Sequence, residues 1–458
     1  MGNIWVQAVA EHQPANKNRM TSELSTFAAR LRGSIPSALP AEHFGGLALE
    51  LFALQFAANA PYRKICEARR VTPLTVHHWT EIPAVPTAAF KELELSCLPA
   101  AERTTVFHSS GTTEQRPSRH FHNAESLAVY EASLWPWFTE NLRFTIGDLR
   151  LLCLTPPPAQ APRSSLVHMF EVIRRKLGAD ESAFVGRVDA AGAWSVDVTL
   201  AQAALRGNRR REEADPGAPG NPPPHGGGYD VPLLLLGTAF SFVHLLDYFG
   251  EQNLRFQLPP GSRVLETGGY KGRSRTLPKA ELHALITERL GVPASHIVCE
   301  YGMSELSSQA YDQAAELEGW NLPHPGPLPT ERENRRPPAG VASEVGNLNA
   351  RNSLFPLPGG EGQGEGKRHV QTASLVVPAA TARVFHFPPW VRGQIISPET
   401  GGEVADGETG LLRVFDLANV FSVMAIQTED LAVRRGDGFE LIGRAALSEP
   451  RGCSLTAV

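Results

Sequence analysis

Among 458 residues there are only five cysteines, at 66, 97, 153, 299 and 453, and no two form a Cys-x-x-Cys pair. That scatter argues against a disulfide framework and a structural zinc site, and it fits a reducing, cytoplasmic compartment. Charge of one sign is scarce too: 43 Lys and Arg against 48 Asp and Glu leave a formal charge of −5. Nucleic acid is therefore not expected as the main partner, because a polyanion calls for a basic excess. Long apolar runs are missing as well. The most apolar stretch, VPLLLLGTAFSFVHLL at 231–246, is short of the roughly 20 residues a membrane helix needs and carries a Thr, a Ser and a His. No membrane span is expected. The opening MGNIWVQAVAEHQPANKNRM has no basic region followed by an apolar one, so it does not read as an export signal. Gly2 suggests myristoylation, but Val6 stands where Ser or Thr is required.

What the chain does have is enough apolar residue, 42 %, for sizeable cores, and a length that favours more than one lobe. Gly and Pro, 41 and 37 in number, exceed the usual combined share of about 12 %. The excess is local. Half of residues 207–228 and about a third of residues 319–368 are Gly or Pro, so both read as disordered insertions into an otherwise ordinary globular sequence. In the second, PHPGPLP and GGEGQGEG mirror one another as Pro-rich and Gly-rich arms, as a mobile element read through in frame would leave them. Residues 1–19 read as a polar tail, with the folded domain running over 20–458.

Helical patterning covers 45–70 as a pair broken at Pro61, then 124–140, 165–177, 240–251 and 279–290. Strand-like runs fall between or beside them at 104–108, 149–154, 232–236, 263–267 and 296–300. This alternation predicts an α/β fold with parallel-rich sheets sandwiched by helices. After Phe385, short alternating runs punctuated by PETGG, ADGETG and RGDG predict a β-rich part.

Three stretches carry chemistry. Phe107-His108-Ser109-Ser110-Gly111-Thr112-Thr113 follows a strand, and a Ser/Thr/Gly run there can turn backbone N–H groups and hydroxyls toward a polyphosphate. Glu300-Tyr301-Gly302-Met303-Ser304-Glu305 ends a strand, and Gln427-Thr428-Glu429-Asp430 lies in the later β-rich part. Taken singly, each also reads as a helix cap, a strand turn or an acidic surface turn. In this order and spacing the three resemble the adenylate-forming superfamily, which includes acyl-CoA synthetases and firefly luciferase.

That resemblance implies ATP and Mg2+ as cofactors. The adenine would stack on Tyr301 and Ser304 would reach the α-phosphate. Glu305 would serve as metal ligand and catalytic carboxylate, and Asp430 would hold the ribose hydroxyls. Gly302, Gly268, Gly269 and Arg444 are expected on the same nucleotide site, with Ser109, Ser110, Gly111, Thr112 and Thr113 cradling pyrophosphate. Lys271 in GGYKG is the candidate positive charge for the developing phosphate charge.

The segments IPAVPTAAFK, LETGGYKG, PPWVRGQIISPETGG, GLLRVFDLANVFSVMAIQTEDL and RGCSL narrow the resemblance to the acyl-protein synthetases of the LuxE type. It implies activation of a fatty acid to acyl-AMP, then transfer to a thiol near the C-terminus, feeding an acyl reductase or an acyl carrier. Cys453 matches that thiol, and Arg451 could lower its pKa. Two departures stand out. Glu114 replaces the usual Gly of the phosphate loop and the usual Lys is missing, so that either Arg116 or Arg119 stands in as the cation or the pyrophosphate contacts are weaker, and the superfamily's small C-terminal lobe is expected to be lacking. Alternatives are an acyl-CoA or acyl-carrier ligase with Cys453 as bystander, and a degenerate nucleotide-binding scaffold. The apolar residues 235–240 and Phe242 are candidates for the wall of an acyl pocket.

Overall fold

The computed structural model describes residues 13–35, 39–109, 116–144, 149–190, 192–206, 231–269, 275–313 and 383–445. The insertions 207–228 and 319–368, residues 110–113, Lys271 and Cys453 lie outside the described residues. Everything described belongs to one compact unit.

Helix α1 spans Gln13–Ser34, so it begins seven residues before Met20. Pro14 falls in its first turn, where a missing N–H costs nothing. Helices α2 (His43–Ala58) and α3 (Ala60–Ala68) follow, separated at Asn59. The Asn59 side chain accepts from the Tyr62 N–H at 3.1 Å, and Pro61 sits in the first turn of α3. The break in the helical pattern at Pro61 is thus the start of a capped helix.

Strand β1 (Val85–Pro86) and helix α4 (Ala89–Glu92) lead to the hairpin of β2 (Thr105–His108) and β3 (Arg119–His122). The run at 104–108 therefore stands outside the main sheet, paired antiparallel with a strand the sequence pattern did not reveal. Next come α5 (Ala124–Leu142), β4 (Arg150–Cys153) and α6 (Ser165–Leu177). A small hairpin, β5 (Gly186–Val188) and β6 (Trp194–Val196), precedes α7 (Val198–Arg206). Then β7 (Leu233–Thr238), α8 (Ala239–Glu251), β8 (Arg263–Thr267), α9 (Lys279–Leu290) and β9 (Ile297–Tyr301) alternate as the sequence predicts.

Strands β4, β7, β8 and β9 are neighbours and parallel. β7 is buried at every position, as a run such as LLLLGT must be when helices cover both faces. One face packs on α5 and α6 through Leu234, Leu236, Leu265, Val298 and Tyr311. The other packs on α7, α8 and α9 through Leu233, Leu235, Val264 and Ile297. Leu235 and Phe242, expected to wall an acyl pocket, are fully buried in this second core, where α8 and α9 meet the sheet.

The sheet continues antiparallel through β10 (Ala310–Gln313), β11 (Val384–His386), β15 (Gly438–Arg444), β14 (Ala425–Arg435), β13 (Thr409–Asp416) and β12 (Val391–Ile396). β1 pairs with β14, so the β-rich part shares one 11-stranded sheet with the parallel strands. A third core lies between β12–β14 and helices α1–α3.

Candidate functional site

The site forms where β9 ends. In a sheet of parallel strands, the carboxyl ends are where loops and ligands meet. Tyr301, the last residue of β9, is held edge-on by three rings: Phe439 at 5.5 Å and Phe385 and Phe387 each at 6.2 Å between centroids. Its hydroxyl donates to Asp430 Oδ2 at 2.8 Å. Burial and then the neighbouring Asp430 charge push the phenol pKa well up, so it stays a donor. Asp430 lies on β14 directly opposite Arg444 of β15, and Arg444 Nε approaches Asp430 Oδ1 at 3.2 Å. The strand register thus brings three of the expected residues, Tyr301, Asp430 and Arg444, into one charged relay.

Gly302 follows, with a Glu300 carboxyl oxygen packed where a Cβ would stand, so a side chain there would have to displace that carboxyl. Ser304 Oγ donates to Glu305 Oε2 at 3.0 Å, and both residues are buried. The turn is clamped from two sides. His120 of β3 sits with Nδ1 at 2.8 Å from the Ser304 carbonyl. Burial drives its pKa down to about 4, so at neutral pH the ring is uncharged and Nδ1–H is the donor. From the other side, Asn419 Nδ2 donates to the Glu305 carbonyl at 2.9 Å.

Asn419 belongs to the FDLANVFSVM stretch, which runs from the end of β13 into a buried turn. Gln55 of α2 donates to the Asn419 carbonyl at 2.7 Å and accepts from the Met424 N–H at 3.0 Å. Asp416 accepts from the Ser307 N–H, the Ser308 hydroxyl and the Ala418 N–H at 2.8–2.9 Å. Burial raises its pKa to about 6 despite these donors.

Ser109 closes the base of the hydroxyl loop: its Oγ accepts from the Ser118 N–H at 3.0 Å, and its own N–H donates to the Ser118 carbonyl at 3.3 Å. Arg119 pairs with Glu94 at 3.3 Å and Arg116 lies 3.7 Å from Glu92. Gly268 and Gly269 continue from β8, Gly269 with φ of 114°. Cys66, Cys97, Cys153 and Cys299 are buried, unbridged thiols, as expected of core residues. Among the described residues no three His, Cys, Asp or Glu side chains are grouped to hold a metal ion, and no helix is long and apolar enough to cross a membrane.

Sequence reasoning did not find His120, Asn419 or Gln55. His120 carries no motif of its own and gains its place from a contact 184 residues away. Asn419 lay within the stretch most specific to the resemblance, and that was the available signal.

The fold is that of the adenylate-forming ligases. The chain superposes on 2-hydroxyisobutyryl-CoA ligase in its postadenylation state with 2-HIB-AMP at a TM-score of 0.52 and 12 % identity, covering 89 % of this chain and 69 % of that one. The open conformation of the same ligase, with 2-HIB-AMP and CoA, gives 0.50 and 13 % identity over 86 % and 74 %. A stretch of 80 residues is 34 % identical to the long-chain-fatty-acid–luciferin-component ligase of Aliivibrio fischeri. That match spans 16 % of this chain and 21 % of the relative. No protein-family model matches the chain.

Proposed function

We propose that this chain is an ATP-dependent, AMP-forming ligase that activates a carboxylic acid, in the first instance a fatty acid, and passes the acyl group to a thiol. The observation that carries the reading is the Tyr301–Asp430 hydrogen bond beside the Ser304–Glu305 pair. It unites two motifs lying 129 residues apart, and the fold is one in which solved ligases hold an acyl adenylate. The short likeness to a fatty-acid ligase supports the acid class.

In the proposed reaction a carboxylate oxygen of the acid attacks the α-phosphorus of ATP, and the bond to pyrophosphate breaks. The products are an acyl adenylate and pyrophosphate. Tyr301 presents its ring to the adenine, and Asp430, held by Arg444, accepts from the ribose hydroxyls. Ser304 Oγ reaches the α-phosphate. A Mg2+ ion carried by a nucleotide takes most of its ligands from phosphates and water, and needs one or two protein carboxylates. The residues present fit that demand, with Glu305 as the carboxylate. When bound, the ion supplies charge stabilisation to the phosphates. The hydroxyl loop from Ser109 to Thr113 and Lys271 would face the departing pyrophosphate.

In the second step the Cys453 thiolate attacks the acyl carbonyl of the adenylate. A thioester forms, the bond to AMP breaks, and the thiol proton goes to solvent. An acyl reductase or an acyl carrier would then take the acyl group.

The test of the first step is fatty-acid-dependent exchange of labelled pyrophosphate into ATP by the purified chain. Exchange that requires both Mg2+ and an acid supports the reading. No exchange with any carboxylic acid overturns it. Acyl-CoA formation without protein labelling moves the acceptor from Cys453 to coenzyme A.

A further inference from the structure

Behind the Gly302–Glu305 turn, on the sheet face opposite the Tyr301 ring, three strands place polar side chains side by side. Thr267 of β8 is the register partner of Glu300 of β9, and Glu300 is the partner of Tyr311 of β10. Cross-strand partners project to the same face. Here that face meets α5, where Tyr311 packs edge-on against Phe138 at 6.4 Å. All three residues are buried, with exposures of 0, 6 and 0 %. Thr267 Oγ1, Glu300 Oε2 and the Tyr311 hydroxyl nonetheless have no hydrogen-bond partner in the protein.

A buried polar atom left without a partner costs about 1–3 kcal/mol, and native proteins carry few of them. Three in one cross-strand row therefore call for a common explanation. Tyr130 of α5 borders the row, and beyond it His168 Nε2 is a further buried, unpartnered atom, its ring 5.4 Å from Tyr130. Each of these groups is neutral at pH 7. Burial, with the Glu266 charge behind it, raises the Glu300 pKa to about 8, and burial lowers that of His168 to about 4. A neutral carboxyl in an apolar surround is a hydrogen-bond donor. The row thus offers hydroxyl, carboxyl and phenol groups with no net charge, at the carboxyl end of the parallel strands and two residues from the turn holding Ser304.

We propose that the Thr267–Glu300–Tyr311 row recognises a hydrogen-bonding substituent, a hydroxyl or a carbonyl, on the carboxylic acid that this chain activates. This deepens the ligase reading and rests on it. A plain hydrocarbon chain would leave all three atoms unpaired. A site built to hydrogen-bond a substrate hydroxyl rejects the analogue lacking it far more strongly than an apolar pocket rejects an added hydroxyl.

The experiment compares kcat/KM in acid-dependent pyrophosphate exchange for dodecanoic acid and for its 2-hydroxy, 3-hydroxy, 3-oxo and 12-hydroxy derivatives. The full chain is used, alongside Tyr311→Phe and Thr267→Val, which keep shape and remove one hydroxyl each. At least one substituted acid should exceed dodecanoic acid tenfold or more, and each variant should lower that ratio at least fivefold. Dodecanoic acid preferred by the parent over every derivative overturns the inference while leaving the ligase reading intact. So does a ratio unmoved by both variants, which would assign the row to ordered water only. Exchange with none of these acids, nor with any other carboxylic acid, overturns the ligase reading and this inference together.

Discussion

The Tyr301 hydroxyl and the Asp430 carboxylate meet at 2.8 Å, although one ends β9 and the other lies on β14, four strands across the sheet. Arg444 holds the second oxygen of the same carboxylate at 3.2 Å. A carboxylate fixed at both oxygens is presented in one orientation before any ligand arrives, and that is what recognition of a paired diol requires.

Asp430→Asn should therefore raise the KM for ATP about tenfold or more, since hydrogen bonds to a charged group contribute about 1.5–3 kcal/mol. The KM for the acid should change much less. Steady-state exchange kinetics with each substrate varied in turn provide the check. If only the acid KM moves, the nucleotide has been placed on the wrong side of β9.

Glu305→Gln preserves volume and removes one charge. Adenylation should fall at least tenfold, which is about 1.4 kcal/mol of transition-state stabilisation, and the Mg2+ concentration giving half-maximal exchange should rise. Unchanged exchange in this variant would remove Glu305 from the mechanism.

His120 offers a test of how the turn is held. Its Nδ1 donates to the Ser304 carbonyl, and its ring packs 4.2 Å from that of His122. His120→Asn can place an amide N–H close to the lost Nδ1–H, whereas His120→Phe keeps the ring and loses the donor. The Phe variant should lose about tenfold in kcat with the Asn variant recovering most of it. Equal loss in both would make His120 a packing residue only.

Much of this architecture was legible because its signals are local. The helices expected at 165–177 and 279–290 coincide with Ser165–Leu177 and Lys279–Leu290, where apolar spacing and the following Gly178 and Gly291 mark faces and ends. The strands expected at 263–267 and 296–300 differ from Arg263–Thr267 and Ile297–Tyr301 by at most one residue. What was not legible arises from pairing. Nothing in RHFH announces a strand bound to 105–108, and the first seven residues of α1, 13–19, carry no apolar period that would announce a helix. The FDLANVFSVM stretch was legible as a resemblance, yet its work, gripping Glu305 from behind through Asn419, depends on Gln55 more than 360 residues earlier.

Glu300 gives a pH-dependent prediction. Its carboxyl titrates near 8 when folded against about 4.3 in an unfolded chain. Between those values the folded state holds a proton that the unfolded state has lost, so stability falls as pH rises, by at most about 1.4 kcal/mol per pH unit. Below pH 4 and above pH 8 the contribution is flat. Glu300→Gln cannot ionise, so its Tm minus that of the parent should grow between pH 5 and pH 8 and then level off. A difference constant across that range would mean that Glu300 ionises normally in the folded protein.

Cys453 decides the second half of the proposed reaction. Incubation with Mg2+, ATP and a labelled acid should leave label on the chain, and neutral hydroxylamine should release it, because a thioester yields to that nucleophile and an amide resists. Cys453→Ser should abolish the labelling yet leave pyrophosphate exchange largely intact, since activation precedes attack by the thiol. Eight residues separate Arg444 from Cys453, and nine extended Cα steps span about 30 Å, so the chain is long enough to bring the thiol back to Tyr301 and Ser304. Reactivity depends on the thiolate fraction as well as reach, and Arg451 is the nearby charge that would raise it. Arg451→Gln should therefore slow labelling and shift its pH profile upward, with exchange unaffected. Labelling of the Ser variant at the parental rate would place the acceptor elsewhere, and acyl-CoA formation in its absence would identify coenzyme A as the thiol.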